Sequence, residues 1–384
     1  MSSFVLEESN RCLHCKNPQC TSGCPVHYDI PKFLSLAKQG LYAEAVATVG
    51  HLFGEICGYV CPRDKQCKGH CVLNVRKSGV DVGMVERQVF AQSFPVLNVT
   101  DNVLSHLKVA VVGGGVSGVT FAQQCYAHGA TVTIFERNQL LHTLFSVPNF
   151  RLPKEALCRV VSAVENSGII VKKLDVDYAD VEKMRKDFDV VYLATGVTIP
   201  NKMNVPGEEH AIYADSFLRG EPFGEAIVVG GGNTAMDCAR KNVRAGFKTV
   251  VAYRRRREDM PAFDAEISEA EKEGVEFCFN LAPVSVERNG KVQVTFAKTV
   301  SEGRGKLTVT EETCNLQCDC LVVATGNGYD SAVYPAEWRI AVQSGNNVCD
   351  NVYAGGDAVG KSLVAEAVFD ALVAFETVLE KYKR

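Results

Sequence analysis

The 384-residue chain is notable first for what it lacks. No segment holds the roughly 18 consecutive apolar residues of a membrane span, so no membrane partner is expected. The first residues, MSSFVLEESNRC, show neither a basic start nor an apolar run, so no secretory signal is expected. The formal net charge of -4 is too small to point to nucleic acid. There is no long linker and no low-complexity tract. With 46% hydrophobic and 22% charged residues, the composition excludes a disordered chain. The length implies two or three domains, because one core rarely grows past roughly 250–300 residues.

What the chain has in quantity is 32 glycines and 16 cysteines. The cysteines at 12, 15, 20, 24, 57, 61, 67 and 71 all lie before residue 72. Clustered cysteines without an export signal read as a metal or cluster site in a cytoplasmic protein, not as a disulfide framework.

The texture changes near residue 105. Before it, short helical patterns such as Ile30 to Lys38 and Leu41 to Val49 accompany the cysteines. After it, LKVAVVGGGVSG reads as a buried strand breaking into a glycine turn, FAQQCYAHG as a helix ending at Gly129, and TVTIFE as the next strand. The same grammar returns in AIVVGGGNTAMDCARKNVRAGF and TVVAY. Two such units imply two nucleotide-binding βαβ starts. DVVYLATG and DCLVVATG form a second repeated pair, the latter ending at Gly326. Residues 286–316 alternate, with Asn289-Gly290 as a hairpin turn. A helix from about Leu363 to Lys381 closes the chain.

The first glycine turn, Gly113-Gly114-Gly115-Val116-Ser117-Gly118, fits G-x-G-x-x-G. Gly113 allows the tight turn, Gly115 lets a pyrophosphate approach the backbone, and Gly118 lets helix and strand pack closely. The helix start at Val116 and Ser117 offers free N–H groups to the anion. Glu136 ends the next strand and is placed to bind an unphosphorylated ribose, with Arg137 beside it. This unit therefore reads as a site for FAD or NAD(H). The second turn, Gly230-Gly231-Gly232-Asn233-Thr234-Ala235, fits G-x-G-x-x-A. Its strand end carries no acid and runs into Arg254-Arg255-Arg256-Arg257. An arginine there pairs with a 2′-phosphate, so this unit reads as NADPH-binding through Arg254 and Arg255. Arg256 and Arg257 read as surface charge. One flavin-type and one NADPH-type unit imply hydride transfer from nicotinamide to flavin. Gly356-Asp357, after a short strand, suits the flavin's ribityl or phosphate groups, although a helix N-cap would look the same.

Cys12-x2-Cys15-x4-Cys20-x3-Cys24-Pro25 is similar to the ferredoxin run C-x2-C-x2-C-x3-C-P, whose last cysteine serves the other cluster. Cys57, Cys61, Cys67 and Cys71 form the second group. Structural zinc is the alternative. The Cys-Pro signature and a flavin that needs a one-electron outlet favour clusters. Cys318 and Cys320 read as strand residues.

The order of RCLHCKNPQCTSGCP, CGYVCPRDKQCKGHC, VAVVGGGVSG, VPNFRLP, AIVVGGGNTAMDCA, YRRRREDMPA and NVYAGGDAVG resembles the small subunit of glutamate synthase. It also resembles the N-terminal half of dihydropyrimidine dehydrogenase and its bacterial FAD/NAD(P)-binding subunit. The resemblance runs from about Asn10 to Lys381. It implies an α/β chain with a helical iron–sulfur domain (1–105), an FAD domain (106–215 and 326–384) and an inserted NADPH domain (216–325). It implies two [4Fe-4S] clusters: one on Cys12, Cys15, Cys20 and Cys71, the other on Cys24, Cys61, Cys67 and Glu86, with Gln88 as the fallback ligand. Cys57 matches a non-ligand position. Leu144 and Arg151 would contact flavin, and Gly326 would join the cofactor-binding residues. The implied activity is electron input from NADPH through FAD and the clusters to a large catalytic subunit or a ferredoxin-like acceptor, in a possible homo- or hetero-oligomer. A cofactor-binding scaffold with little turnover is the competing reading. No catalytic acid, base or nucleophile is expected, and no glutaminase or FMN-barrel domain. One departure stands out: His142-Thr143 replaces the family's Gly-Gly, and the loop Leu141 to Pro148 is shorter.

Overall fold

The apolar run Lys108–Val112 forms a parallel strand, because residues covered on both faces need no alternation. It is central to a six-stranded sheet in the order Asn347–Cys349, Val352–Ala354, Val190–Leu193, Lys108–Val112, Thr131–Glu136 and Ile170–Lys173. All neighbours run parallel except the first pair, which is antiparallel. The computed structural model describes residues 3–303, 305–330, 332, 333, 338 and 346–383. The chain divides into two compact units, Met1–Phe145 with Asn149–Val197 and Tyr329–Arg384, and Ser146–Pro148 with Thr198–Gly328.

In the first unit, the N-terminal part is helical. Ile30–Lys38 starts where Asp29 accepts the Lys32 N–H at 3.1 Å and Pro31 occupies the first turn. Tyr42–Val49, Gly54–Val60 and Val82–Gln92 follow, the last capped by Asp81. Phe33, Val46, Val85, Val89 and Phe90 fill the core between them. The helix Val116–Ala127 ends before Gly129, whose φ of 89° only glycine adopts readily. The helical part and the six-stranded sheet share this one unit. Glu55, 2% exposed, receives a bidentate grip from Arg159, with Nε to Oε2 at 2.9 Å. Gln123 and Gln124 both donate to the Gly50 carbonyl.

The second unit holds a parallel sheet in the order Ile212–Tyr213, Cys320–Val323, Ala226–Val229, Thr249–Tyr253 and Glu276–Phe279. A three-stranded antiparallel sheet, Leu281–Asn289, Lys291–Ser301 and Leu307–Cys318, follows its last strand. Asn289 pairs with Lys291 around Gly290 at φ 76°, which is the hairpin that Asn-Gly favours. Residues 198–215 belong to this unit. The reason is pairing: Ile212 and Tyr213 add an edge to the second sheet against Val322 and Val323. Cys318 and Cys320 are buried strand residues.

Candidate functional site

The first turn shows which glycine does what. Gly113 has φ 103°, and a Cβ there would stand 2.4 Å from the Ala194 carbonyl oxygen. At Gly118 a Cβ would stand 2.0 Å from the Gly113 oxygen. These two are glycine for packing. Gly115 is different: nothing lies within 4 Å of where its Cβ would be. It is also the N-cap of Val116–Ala127, and no side chain caps that helix. Open space in front of uncapped N–H groups is what an approaching pyrophosphate requires. Glu136 stands beside the turn, accepting the Gly114 N–H at 2.7 Å and the Asn138 N–H at 2.8 Å. Arg137 is drawn to Asp175 at 3.6 Å and Asp330 at 3.7 Å.

The chain brings Gly356 to the same place across 239 residues of sequence. A Cβ on Gly356 would meet Ser117 Cβ at 2.7 Å. Ser117 Oγ is 2.7 Å from the Tyr192 hydroxyl, and the Tyr192 ring stacks on Phe121 at 4.0 Å. Asp370 accepts the Gly356 N–H at 2.9 Å. Burial, with the charge of Glu366, pushes the Asp357 carboxyl up to about 6. Tyr192 and Asp370 escaped the sequence reading because each sits in an ordinary apolar strand or helix pattern. The residues therefore fit a dinucleotide: Gly115, Val116, Ser117, Glu136, Gly356 and Asp357 would hold it.

His142–Ser146, where the family pattern has glycines, is a short helix. Leu141 donates its N–H to the Gly114 carbonyl at 2.8 Å, and Leu140 packs on Gly114. Leu144 is half-buried on this helix, and Arg151 is half-buried beyond it.

The second turn repeats the design within its own unit. Gly230, at φ 152°, has the Ala324 carbonyl oxygen 2.3 Å from its Cβ position, and Gly231 lies against the Tyr253 ring. Gly232 has open space and caps Asn233–Arg244 without a side-chain bond. Asn233 Oδ1 accepts the Phe263 N–H at 2.9 Å, which ties the turn to the segment after the arginines. Thr234 is exposed and Ala235 buried. The arginine run divides. Arg256 pairs with Glu258 and Asp259, both at 3.0 Å, and Arg257 with Glu271 at 3.0 Å. Arg254 is exposed and has no ion pair among the described residues, while Arg255 is half-buried. Gly326, at φ 89°, is exposed, and its carbonyl accepts the Asn201 N–H at 2.9 Å.

The cysteines gather into two cavities of the first unit. Cys12, Cys15, Cys20 and Cys71 line one of them. Cys24, Cys61, Cys67 and Glu86 line the other, together with Cys57. Glu86 faces this cavity and Gln88 does not. All sixteen cysteines are free thiols. Among the described residues no group of three or more His, Cys, Asp or Glu converges on a point where one ion would sit. Three or four cysteines on each cavity, with Glu86 on the second, are the donor set a [4Fe-4S] cluster takes. Burial pushes the Cys20 thiol up to about 11 and Cys24 up to about 12, so binding a metal group as thiolates would release protons. Burial likewise raises the Glu86 carboxyl to about 7, although the Tyr28 hydroxyl donates to its Oε1 at 2.7 Å and favours the charge.

The second cavity touches the flavin-type half. Ala365 of the helix Val364–Tyr382 lines it, and Asp370 on the same helix holds the Gly356 N–H. His27 meets Phe369 edge to face at 5.7 Å. Polar lining residues that were not legible as site residues in the sequence are Tyr28, His51, Arg63 and Gln66. Burial pushes the His51 imidazole down to about 3, leaving it neutral.

Comparison with known proteins agrees with this geometry. Residues 2–95 match the family described as dihydropyrimidine dehydrogenase domain II, 4Fe-4S cluster. Residues 155–371 match pyridine nucleotide-disulphide oxidoreductase, and residues 111–144 an NAD(P)-binding Rossmann-like domain. The glutamate synthase [NADPH] small chain of Escherichia coli K12 is 32% identical over 97% of this chain and 90% of its own length. The NADP(+)-dependent formate dehydrogenase subunit beta of Moorella thermoacetica is 28% identical over 91% of this chain and 58% of its own. Thioredoxin reductase of Lactococcus lactis shares the fold with a TM-score of 0.55 at 18% identity, over 72% of this chain and 98% of that one. A helical cluster segment, two open glycine turns and the identity along almost all of the sequence lead to one family: the chain belongs with the glutamate synthase small chains, among the pyridine nucleotide-disulphide oxidoreductases.

Proposed function

We infer that the chain is an NADPH-dependent oxidoreductase serving as an electron-input module. The observation that carries this reading is the pair of cysteine-lined cavities set in the same compact unit as the open Gly115 turn. When bound, NADPH and FAD supply hydride transfer, and two [4Fe-4S] clusters carry the electrons singly. The protein's own part is to bind, orient and tune. Gly113, Gly115, Val116, Ser117, Gly118 and Glu136, with Arg137, Leu144, Arg151, Gly356 and Asp357, make the flavin site. Gly230, Gly232, Asn233, Thr234, Ala235, Arg254, Arg255 and Gly326 make the NADPH site, where the two arginines after the strand select the 2′-phosphate. Cys12, Cys15, Cys20 and Cys71 hold one cluster. Cys24, Cys61, Cys67 and Glu86 hold the other, with Tyr28 fixing one carboxylate oxygen and leaving the second for iron.

The acceptor is a large catalytic subunit. The relatives' own names place them as a small chain or a beta subunit, which supports such a partner. A setting in the cytoplasm is supported by the sixteen free thiols. Among the described residues no helix is long and apolar enough to cross a membrane.

The test is anaerobic purification followed by metal analysis and dye reduction. About eight irons per chain, with acid-labile sulfide, supports two cubane clusters. Steady NADPH consumption with an artificial acceptor supports turnover. Zinc in place of iron, or NADPH binding without turnover, would sink the reading and favour a zinc-stabilised or scaffold protein.

A further inference from the structure

The two cavities differ in the chemistry of their walls. Around its cysteines the first is mainly apolar, with Leu13, Ile30, Leu34 and Val80. The second is faced by polar side chains, among them Tyr28 and His51. Tyr28 is committed to Glu86. His51 is not committed to any of the cavity's acids.

His51 follows Gly50, which ends one helix at φ 76°, and precedes the helix Gly54–Val60 that leads into Cys61. It is 3% exposed. Its Nδ1 accepts the Phe53 N–H at 3.0 Å. A ring nitrogen that accepts carries no proton, so the single proton of the neutral imidazole sits on Nε2. Among the described residues no group takes that proton in a hydrogen bond. His51 lines the cavity that Cys24, Cys61, Cys67 and Glu86 share. An N–H without a protein acceptor gains one where a cluster sulfur comes within reach.

We propose that His51 donates its Nε2–H to a sulfur of the cluster held by Cys24, Cys61, Cys67 and Glu86, and so raises the reduction potential of that cluster alone. This rests on the cluster reading above. Reduction adds negative charge to the cluster, and a hydrogen bond to sulfur favours the more negative state. The backbone bond at Nδ1 fixes both the tautomer and the ring's direction. His51 is thus a positioning and tuning residue, and the four ligand places belong to other side chains.

The experiment uses the full chain, loaded anaerobically and grown with ¹⁵N-histidine. In the reduced wild-type protein, one of the two cluster signals is expected to show a weak coupling to a single histidine nitrogen. His51→Leu removes that coupling and shifts the midpoint of that cluster downward, leaving the other in place. His51→Gln, which keeps an N–H donor, recovers part of the shift. If both clusters are present and neither senses a histidine nitrogen, the proposal is overturned. A strong coupling also overturns it, because it would make His51 an iron ligand. The wild-type measurement decides even where His51→Leu loads poorly. Absence of iron and sulfide overturns the cluster reading itself, and this assignment with it.

Discussion

The hydroxyls of Ser117 and Tyr192 lie 2.7 Å apart, joining the helix of the first glycine turn to the neighbouring strand. Both side chains are buried, and Gly355 passes so close that a Cβ there would stand 1.9 Å from the Tyr192 oxygen. Tyr192→Phe is expected to lower stability by about 1 kcal/mol through loss of this bond. Gly355→Ala is expected to cost more, and the double variant to recover part of the loss because the clashing oxygen is gone. Urea unfolding of the three proteins checks this. Strict additivity would show that the close approach is not the cause.

The glycines of the first turn separate folding from binding. Gly115→Ala is expected to keep the stability of the cofactor-free chain and to lose flavin. Gly113→Ala and Gly118→Ala are expected to lose both, since their Cβ positions are occupied by backbone. Flavin content and melting temperature, measured side by side, distinguish the two classes.

The arginine run is expected to behave as two pairs. Arg254→Ala and Arg255→Ala raise the KM for NADPH and narrow the preference over NADH, by roughly tenfold to a hundredfold if a charged hydrogen bond of ~1.5–3 kcal/mol is lost. Arg256→Ala and Arg257→Ala, whose partners are Asp259 and Glu271, leave that preference unchanged. Steady-state kinetics with both nucleotides and a dye acceptor is the check.

Iron content tests the ligand sets. Glu86→Ala and Cys61→Ala are each expected to remove roughly four of about eight irons, while Cys57→Ala keeps them all. Loss of iron from Cys57→Ala, with retention in Glu86→Ala, would exchange their roles.

Acid sensitivity has a definite sign in the second unit. Burial works to raise the Glu273 carboxyl, but hydrogen bonds from Arg244 and Arg240 win and hold it down at about 2, against an ordinary 4.5. A carboxyl depressed in the folded state contributes stability above its unfolded pKa and loses it as pH falls through the folded one. Glu273→Gln is therefore expected to destabilise the protein at pH 7. The gap to wild type should close between about 4.5 and about 2. Urea midpoints across that range measure it, and a gap independent of pH would refute the pairing.

Much of this was written in the linear sequence. Period and punctuation are local, so Asp29-Ile30-Pro31 marks a helix start, Asn289-Gly290 a hairpin, and each glycine turn a strand running into a helix. Spacing placed the cysteines in two runs, Cys12 to Cys24 and Cys57 to Cys71, but the fold regroups them: Cys71 joins Cys12, Cys15 and Cys20, and Cys24 joins Cys61 and Cys67. What the sequence did not show was who meets whom at a distance. Tyr192 and Asp370 look like unremarked members of a strand and a helix until Ser117 and Gly356 arrive beside them. His51 carries no signal in the sequence until the fold places it, with Cys57 of the helix Gly54–Val60, on the cavity that Glu86 lines.

The sequence by itself thus determined the elements, the two turns and the crowding of cysteines before residue 72, since backbone conformation answers to near neighbours and hydrophobic period. The tertiary structure decided that a Gly-Asp near the end closes on the first glycine turn, which cysteines share each cavity, and that one of those cavities has His51 in its wall. Those relationships come from packing between distant segments, where burial decides protonation and only the folded chain sets the distances.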